Sequence, residues 1–382
     1  MADTLRDKLP PIYAPLFADV FDGPPVIEAR ATCDDCAMCD KGEPSPVAMD
    51  YFKPDLKCCT YHPYLPNFLV GGVFADPDPA LDEGRRRLRA KIASRISVTP
   101  RWIAPPRKYS HLMEASRGNG FFGRSKVALC PYFDAENGGR CTVWKYRDNI
   151  CSTYFCKFTS GKLGWDFWSS LKDYLGYVEK SLSRWSALEV DKNVSDAQVV
   201  RGKLTLEDLE DRGPADAEYE RFWGKWVGRE EEFYIACHDK VKAMTREEFA
   251  KLIDSSSEAQ KLLAAVRANH SAIHSLVLPS RLVRNPSMRV NPAGENVVVT
   301  TYSTYDSFSL DKDLFDVLLK IRGDETLEAN LARLSNEEGI ELAPELLEYL
   351  FTHGVLVSPP PPKASSAVCA TDDAPAAEVP KS

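Results

Sequence analysis

The residues in this chain best suited to chemistry are its cysteines. Eleven occur in 382 residues, and nine of them fall between Cys33 and Cys156. Cys33, Cys36 and Cys39 are separated by two-residue gaps, a spacing that gathers three sulfurs around one point on a tight loop. Three close thiolates completed by a distant cysteine are a usual way to ligate an iron–sulfur cluster. The same three would also fill three corners of a tetrahedral zinc site. Cys58 and Cys59 are adjacent and poorly placed to share one ion, so they are read as auxiliaries: ligands to two different metals, or one ligand and one packing residue. Cys130, Cys141, Cys151 and Cys156 form a second group. Gly138-Gly139 reads as a turn between two short segments, and the chain then returns through Cys151 and Cys156, so four thiolates can converge. An all-thiol set suits iron–sulfur and zinc alike, because both take soft deprotonated sulfur. Iron–sulfur, a 4Fe-4S cluster included, is ranked ahead of zinc.

An odd cysteine count with no secretory leader at the N-terminus argues against a disulfide framework and for a reducing, cytoplasmic setting. No run approaches the ~18 apolar residues that a membrane span requires. The formal net charge of −8 disfavours a nucleic-acid partner, which needs clustered cations to displace counterions. One basic stretch, Arg85, Arg86, Arg87, Arg89, Lys91 and Arg95, reads first as the solvated face of a helix and second as a docking face for an acidic partner. Gly118 to Gly123 matches a dinucleotide-binding string but lacks the strand before it that would give it meaning. Cys237-His238 falls inside a predicted helix, where adjacent side chains diverge, and His270 and His274 have no glutamate in the protease arrangement. His62, three residues after Cys59, is the one histidine kept as a candidate extra ligand. No hydrolase, P-loop or kinase motif is present, and no catalytic residue can be named.

The elements that must position these residues imply an α+β chain: an irregular Cys-rich metal-binding domain, a helical middle region and a small winged-helix-like C-terminal domain. The cysteine domain covers residues 1–160. Residues 1–32 read as a short helix or loop lead-in; residues 33–160 are Cys-, Pro- and Gly-rich with little sustained periodicity, and the expectation is that ligation holds their shape in place of a large apolar core. Residues 161–285 are helical. Trp165, Trp168, Leu171, Leu175, Val178, Leu182 and Trp185 recur at helical spacing. A second helix is predicted over 217–243, Thr245-Arg-Glu-Glu248 is a capping-box start, and another helix runs through Leu262 and Ile273. Residues 286–357 read as a strand over 296–302, a partner over 307–310, helices over 311–321, 325–336 and 343–353, and a closing strand at 354–357. The proline-rich tail, 358–382, is expected to be disordered, which makes Cys369 a poor ligand.

The string Cys130-Pro-Tyr-Phe, Gly138-Gly-Arg-Cys-Thr-Val-Trp144, Arg147, Cys151-Ser-Thr-Tyr-Phe-Cys156 resembles the YkgJ-type cysteine-cluster family. That family is described as zinc- or iron-chelating and includes flagellin lysine-N-methylase-like proteins. The resemblance covers roughly residues 33–160 and maps Cys130, Cys141, Cys151 and Cys156 onto the family's late cysteines and the Cys33 group onto its early motif. Asp148 and Ser152 stand where the family usually has proline and arginine. Residues 290–357, from Asn296-Val-Val-Val-Thr to Gly354-Val-Leu356, look like a PqqD-like winged helix, which implies peptide binding by strand addition. A winged helix can also read DNA, but this one carries eight acidic residues and Arg333 between 323 and 353. Together the resemblances imply an iron–sulfur enzyme that modifies a protein or peptide, lysine N-methylation being one candidate reaction. The alternative is a non-catalytic zinc-binding module acting through protein or peptide binding.

Overall fold

The computed structural model describes residues 3–33, 35–42, 51–116, 120–194 and 204–359. It is mixed helix and sheet, about 50% helical and 9% strand, so helices supply most of the packing. After three short 3-10 turns the regular elements begin with β1 (Leu65–Pro66), α1 (Asn67–Ala75), α2 (Asp82–Ser94), β2 (Trp102–Ile103) and α3 (Arg107–Ala115). They continue with β3 (Phe133–Asp134), β4 (Arg140–Cys141), α4 (Asn149–Thr153) and α5 (Gly161–Val190). The helical middle adds α6 (Leu206–Leu209), α7 (Asp216–Trp223), α8 (Glu230–Lys242), α9 (Arg246–Phe249) and α10 (Ser257–His274). The C-terminal part holds β5 (Val283–Arg284), β6 (Arg289–Ala293), β7 (Asn296–Thr300), β8 (Phe308–Asp311), α11 (Lys312–Leu318), α12 (Leu327–Glu338), α13 (Pro344–Thr352) and β9 (Leu356–Val357).

The centre of the molecule is α1, buried from Asn67 to Phe74. A helix that is apolar all round has no stripe for a sequence pattern to reveal, and only a deep core can bury it. It lies between α8 and α5. A Cβ at Gly71 would run into the Tyr234 carbonyl on α8, and one at Gly72 into the Tyr146 ring, so the glycine pair sets how closely these elements approach. Asn67 ties α1 to its surroundings: its amide donates to the carbonyls of Pro100 (3.1 Å) and Ser183 (2.9 Å), and its oxygen accepts from Ser186 (3.1 Å). The long helix α5, 30 residues and ~45 Å, buries Phe167, Trp168, Leu171, Leu175, Val178 and Leu182, most of the predicted apolar stripe.

One apolar cluster runs from Leu5 to Val266 and crosses residue 160 without a break. Residues 33–160 contribute Leu65, Phe68, Leu69, Val73, Leu88 and Ile103 to it, so the expectation that ligation replaces a large apolar core there is not met. The cluster also takes in the aromatic lead-in, where Tyr13 and Phe17 stack at 5.0 Å and Phe17 meets Phe21 at 4.3 Å. The single helix predicted over 217–243 is two helices. Gly224 (φ 53°) and Gly228 (φ 77°) take left-handed conformations between α7 and α8 and break it. The capping box before α9 is present: Thr245 N–H donates to Glu248 (2.8 Å) and Glu248 N–H to Thr245 Oγ1 (3.2 Å).

A second apolar cluster, Leu282 to Leu356, belongs to the C-terminal elements. β6, β7 and β8 form an antiparallel meander with Val297 opposite Leu310 and Val290 opposite Val299, and β5 pairs with β9. The predicted strand pair and all three helices are present. β5, at the end of the region read as helical, and β6 are the additions; β6 carries Pro292, which lacks an N–H, and so reads poorly as a strand, but proline is tolerated on an edge. Among the described residues no helix is long and apolar enough to cross a membrane.

Candidate metal centre

The cysteine-bearing loops are held by hydrogen bonds between distant points of the chain more than by regular ladders. In the first group Cys39 N–H donates to Cys36 O (3.1 Å), closing the turn that carries both. Lys57, in the left-handed region (φ 51°), turns the chain into Cys58-Cys59 and sends its ammonium to Cys33 O (2.8 Å) and Gly139 O (3.1 Å). Cys130 N–H donates to Cys59 O (2.8 Å), which joins the adjacent pair to the second group. Gly138 (φ 86°) and Gly139 (φ 65°) form the predicted turn, and β3 pairs with β4 so that Phe133 faces Cys141. On α2, Arg87 donates to the carbonyls of Pro131 (2.9 Å) and Phe133 (3.0 Å), one and three residues past Cys130.

α4 presents Cys151. Asp148, 1% exposed, caps it: one carboxylate oxygen accepts Cys151 N–H (2.9 Å) and the other Tyr64 N–H (3.2 Å). Arg147 stacks over the Trp144 ring at 3.4 Å and donates to Cys151 O (3.0 Å).

The thiols lie close enough to act on one another. Burial raises the Cys33 thiol above its ordinary 9.0, and neighbouring Cys58 and Cys36 raise it further. Burial and Cys36 push Cys39 up to about 11. Cys58 is pushed up by its hydrogen bond with Cys59 and then by burial. Cys141 is raised to about 11 by burial, with Cys33 and Cys58 adding to it, and Cys156 to about 12 by burial, Cys36 and Cys58. Burial also raises Cys130, with Cys141 beside it, and Cys151, with Asp148, Cys130 and Cys141 beside it. Cys58 is the thiol shared by most of these neighbourhoods. Opposing them, Arg147 supplies positive charge to Cys33, Cys58 and Cys141, and Lys57 to Cys33 and Cys39.

By chemical type, thiols are donors that suit a thiophilic metal. As geometry the cage is not closed: among the described residues no group of three or more Cys, His, Asp or Glu side chains is arranged to hold an ion. The ten cysteines among the described residues, Cys237 included, are all free thiols. Cys369 lies outside the described residues. Cys237 is buried in α8 against the Asn67 amide (3.4 Å), and His238 packs there with Nδ1 3.0 Å from Phe68 O. His270 bonds Pro24 O (2.8 Å). His62 stacks on Tyr109 at 3.8 Å, and its Nε2 donates to Leu129 O (2.8 Å), which leaves a buried Nδ1 with no hydrogen-bond partner. Gly118 and Asn119 lie outside the described residues, and what precedes them is α3, not a strand.

The five arginines of the basic stretch are paired within the molecule: Arg85 with Asp82, Arg86 and Arg87 with Glu83, Arg89 with Glu231 and Arg95 with Asp216. Sequence reasoning missed Lys57, Arg87 and Asp148, the residues that hold the loops. For Asp148 a signal existed, an aspartate three residues before Cys151 at a helix start; for Lys57 and Arg87 there was none. No family model, curated protein or solved structure matches the chain.

Proposed function

We propose that the stretch from Cys33 to Cys156 holds a thiolate-ligated metal centre, an iron–sulfur cluster ahead of zinc. Its ligands are drawn from Cys33, Cys36, Cys39, Cys130, Cys141, Cys151 and Cys156, with Cys58 and Cys59 as auxiliaries. The observation that supports this reading is that the loops bearing these cysteines are tied to one another, Cys130 N–H to Cys59 O (2.8 Å) and Lys57 to both Cys33 O (2.8 Å) and Gly139 O (3.1 Å), with Cys58 a neighbour that raises the Cys33, Cys39, Cys141 and Cys156 thiols. A lone buried thiol packs as a small hydrophobe, as Cys237 does, but several thiols brought near one another on tied loops gain little from packing alone. Because thiolate, not thiol, is the metal ligand, metal entry must expel protons, and the loops must close on the ion.

On this reading the protein is a cytoplasmic enzyme that modifies a protein or peptide, N-methylation of lysine being one candidate reaction. The C-terminal module holds that substrate by strand addition to an open edge of the β6–β7–β8 sheet, with no part for nucleic acid or membrane. Protein purified without oxygen is expected to be brown, to absorb near ~400 nm and to carry iron and sulfide in matching amounts. A colourless protein with tightly held zinc supports the second reading, a non-catalytic zinc module. The hairpin between Cys130 and Cys141 favours that alternative, since a tight turn between two cysteines suits a tetrahedral ion. Protein that takes up neither metal, with its thiols freely titratable, overturns both.

A further inference from the structure

The cysteine-bearing stretch starts just after Arg30 and ends just before Phe158, and these two residues are tied together by a carboxylate from the far end of the chain. Arg30 donates one guanidinium nitrogen to Phe158 O (3.2 Å) and the other to Asp306 Oδ1 (2.9 Å). Asp306 Oδ2 accepts Phe158 N–H (3.1 Å) and the Tyr302 hydroxyl (2.5 Å). Asp306 is only 3% exposed, although it sits in the loop between β7 and β8. A parallel tie runs beside it, where Glu28 accepts Thr159 N–H (2.5 Å) and the Trp168 indole N–H (2.9 Å). Next to Asp306, Tyr305 packs on Phe52 (5.4 Å) and Phe122 (6.4 Å). Phe122 meets Tyr154, whose phenol lies near Cys36, Cys58 and Cys156.

Joining the ends of a long stretch of chain costs entropy, and an internal tie holds them together only while it lasts. A buried carboxylate is itself expensive unless its charge and lone pairs are met. Here they are met by groups from both ends of the cysteine stretch and by Tyr302 of its own loop. We propose that Asp306 is a positioning residue of the sulfur site: through its β7–β8 loop the C-terminal module locks the two ends of the cysteine stretch and fixes Cys33 and Cys156 relative to the thiols between them. The module is thus a wall of the site, and anything held on its sheet lies one loop away from the sulfurs. The proposal rests on reading Cys33 to Cys156 as one site, but its test needs no metal.

The test is site-resolved alkylation of reduced, chelator-treated full-length protein by iodoacetamide, read cysteine by cysteine by mass spectrometry. Asp306→Asn is expected to speed alkylation of the half-buried Cys156 about tenfold, the factor one lost charge-assisted hydrogen bond allows, to raise the already exposed Cys33 by less, and to leave Cys130, Cys141 and Cys151 within about twofold. Tyr302→Phe, which keeps the ring on Phe158 and removes one hydroxyl, gives a smaller rise at the same two thiols and serves if Asp306→Asn does not fold. Arg30→Met combined with Asp306→Asn should add little to either alone, because both break one knot. A uniform rise at all nine cysteines, no rise at all, or fully additive singles overturns the proposal. Metal content measured on the same preparations judges the metal reading separately: metal-free wild type would sink that reading and leave the alkylation pattern to decide on Asp306.

Discussion

The cysteine loops and the C-terminal module are built on opposite plans. The module has its own apolar cluster, a five-residue strand pair in regular register and helices with one buried face. Between Cys33 and Cys156 the strands are two residues long, and backbone groups are satisfied by side chains reaching across the fold: Lys57 to two carbonyls, Arg87 to two more, Asp148 to two N–H groups. Buried backbone polar groups must be paired. Where ladders are too short to do it, charged side chains do. The module should therefore answer mainly to loss of apolar volume, and the cysteine loops to loss of single polar contacts and, on the proposed reading, of metal.

The largest expected effect is on metal. Cys141→Ser or Cys130→Ser should abolish tight binding of iron or zinc, measured by metal analysis, while the module's folding is unchanged. His238→Ala should leave metal content as it was. Retention of full metal by either cysteine variant would remove these residues from the ligand set.

Next in size is a core truncation in the module. Leu350 is fully buried in the second cluster, so Leu350→Ala should cost about 2–5 kcal/mol in denaturant unfolding of the module. With the Asp306 tie intact, thiol reactivity at Cys130 and Cys141 should stay near wild type. Equal exposure of those thiols would show that the two plans are one cooperative unit.

What the sequence made legible follows the same division. α5, the capping box before α9 and the module's helices were readable because each buries one face and leaves a periodic trace. α1 was invisible because it is buried all round, and β6 because Pro292 masks it. At the candidate site the cysteines were legible by type and spacing and the Gly138-Gly139 turn by composition. Lys57 and Arg87 were not, since nothing local tells a lysine or arginine that reaches a distant carbonyl from one in solvent.

A third prediction concerns pH. Burial lowers His62 from its ordinary 6.5 to about 4. The fold holds the neutral ring, so its contribution is complete above about pH 6.5 and is lost as pH falls through 4. The gap corresponds to about 3 kcal/mol, most of it gone by pH 4.5. Unfolding of metal-free protein at pH 7 and pH 4.5 should show a smaller drop in His62→Phe, which can still stack on Tyr109, than in wild type. Parallel losses in the two proteins would mean that the imidazole does not titrate with folding.

The smallest effects come from the basic face of α2, where neighbours in sequence belong to different plans. Arg89 pairs with Glu231 at the surface, with side chains 56% and 35% exposed, and an exposed pair is worth at most about 1 kcal/mol and weakens with salt. Arg87 is less exposed and gives two charge-assisted bonds to the carbonyls that follow Cys130, so Arg87→Met should cost about 2 kcal/mol and persist in high salt. It should also speed alkylation of Cys130, which Arg89→Met should not. The same stretch that reads as one solvated helix face would then divide residue by residue, Arg89 with the surface and Arg87 with the sulfur loops. If the two substitutions cost the same and salt erases both, the cysteine loops do not depend on single polar contacts, and the contrast with the module fails at its most specific point.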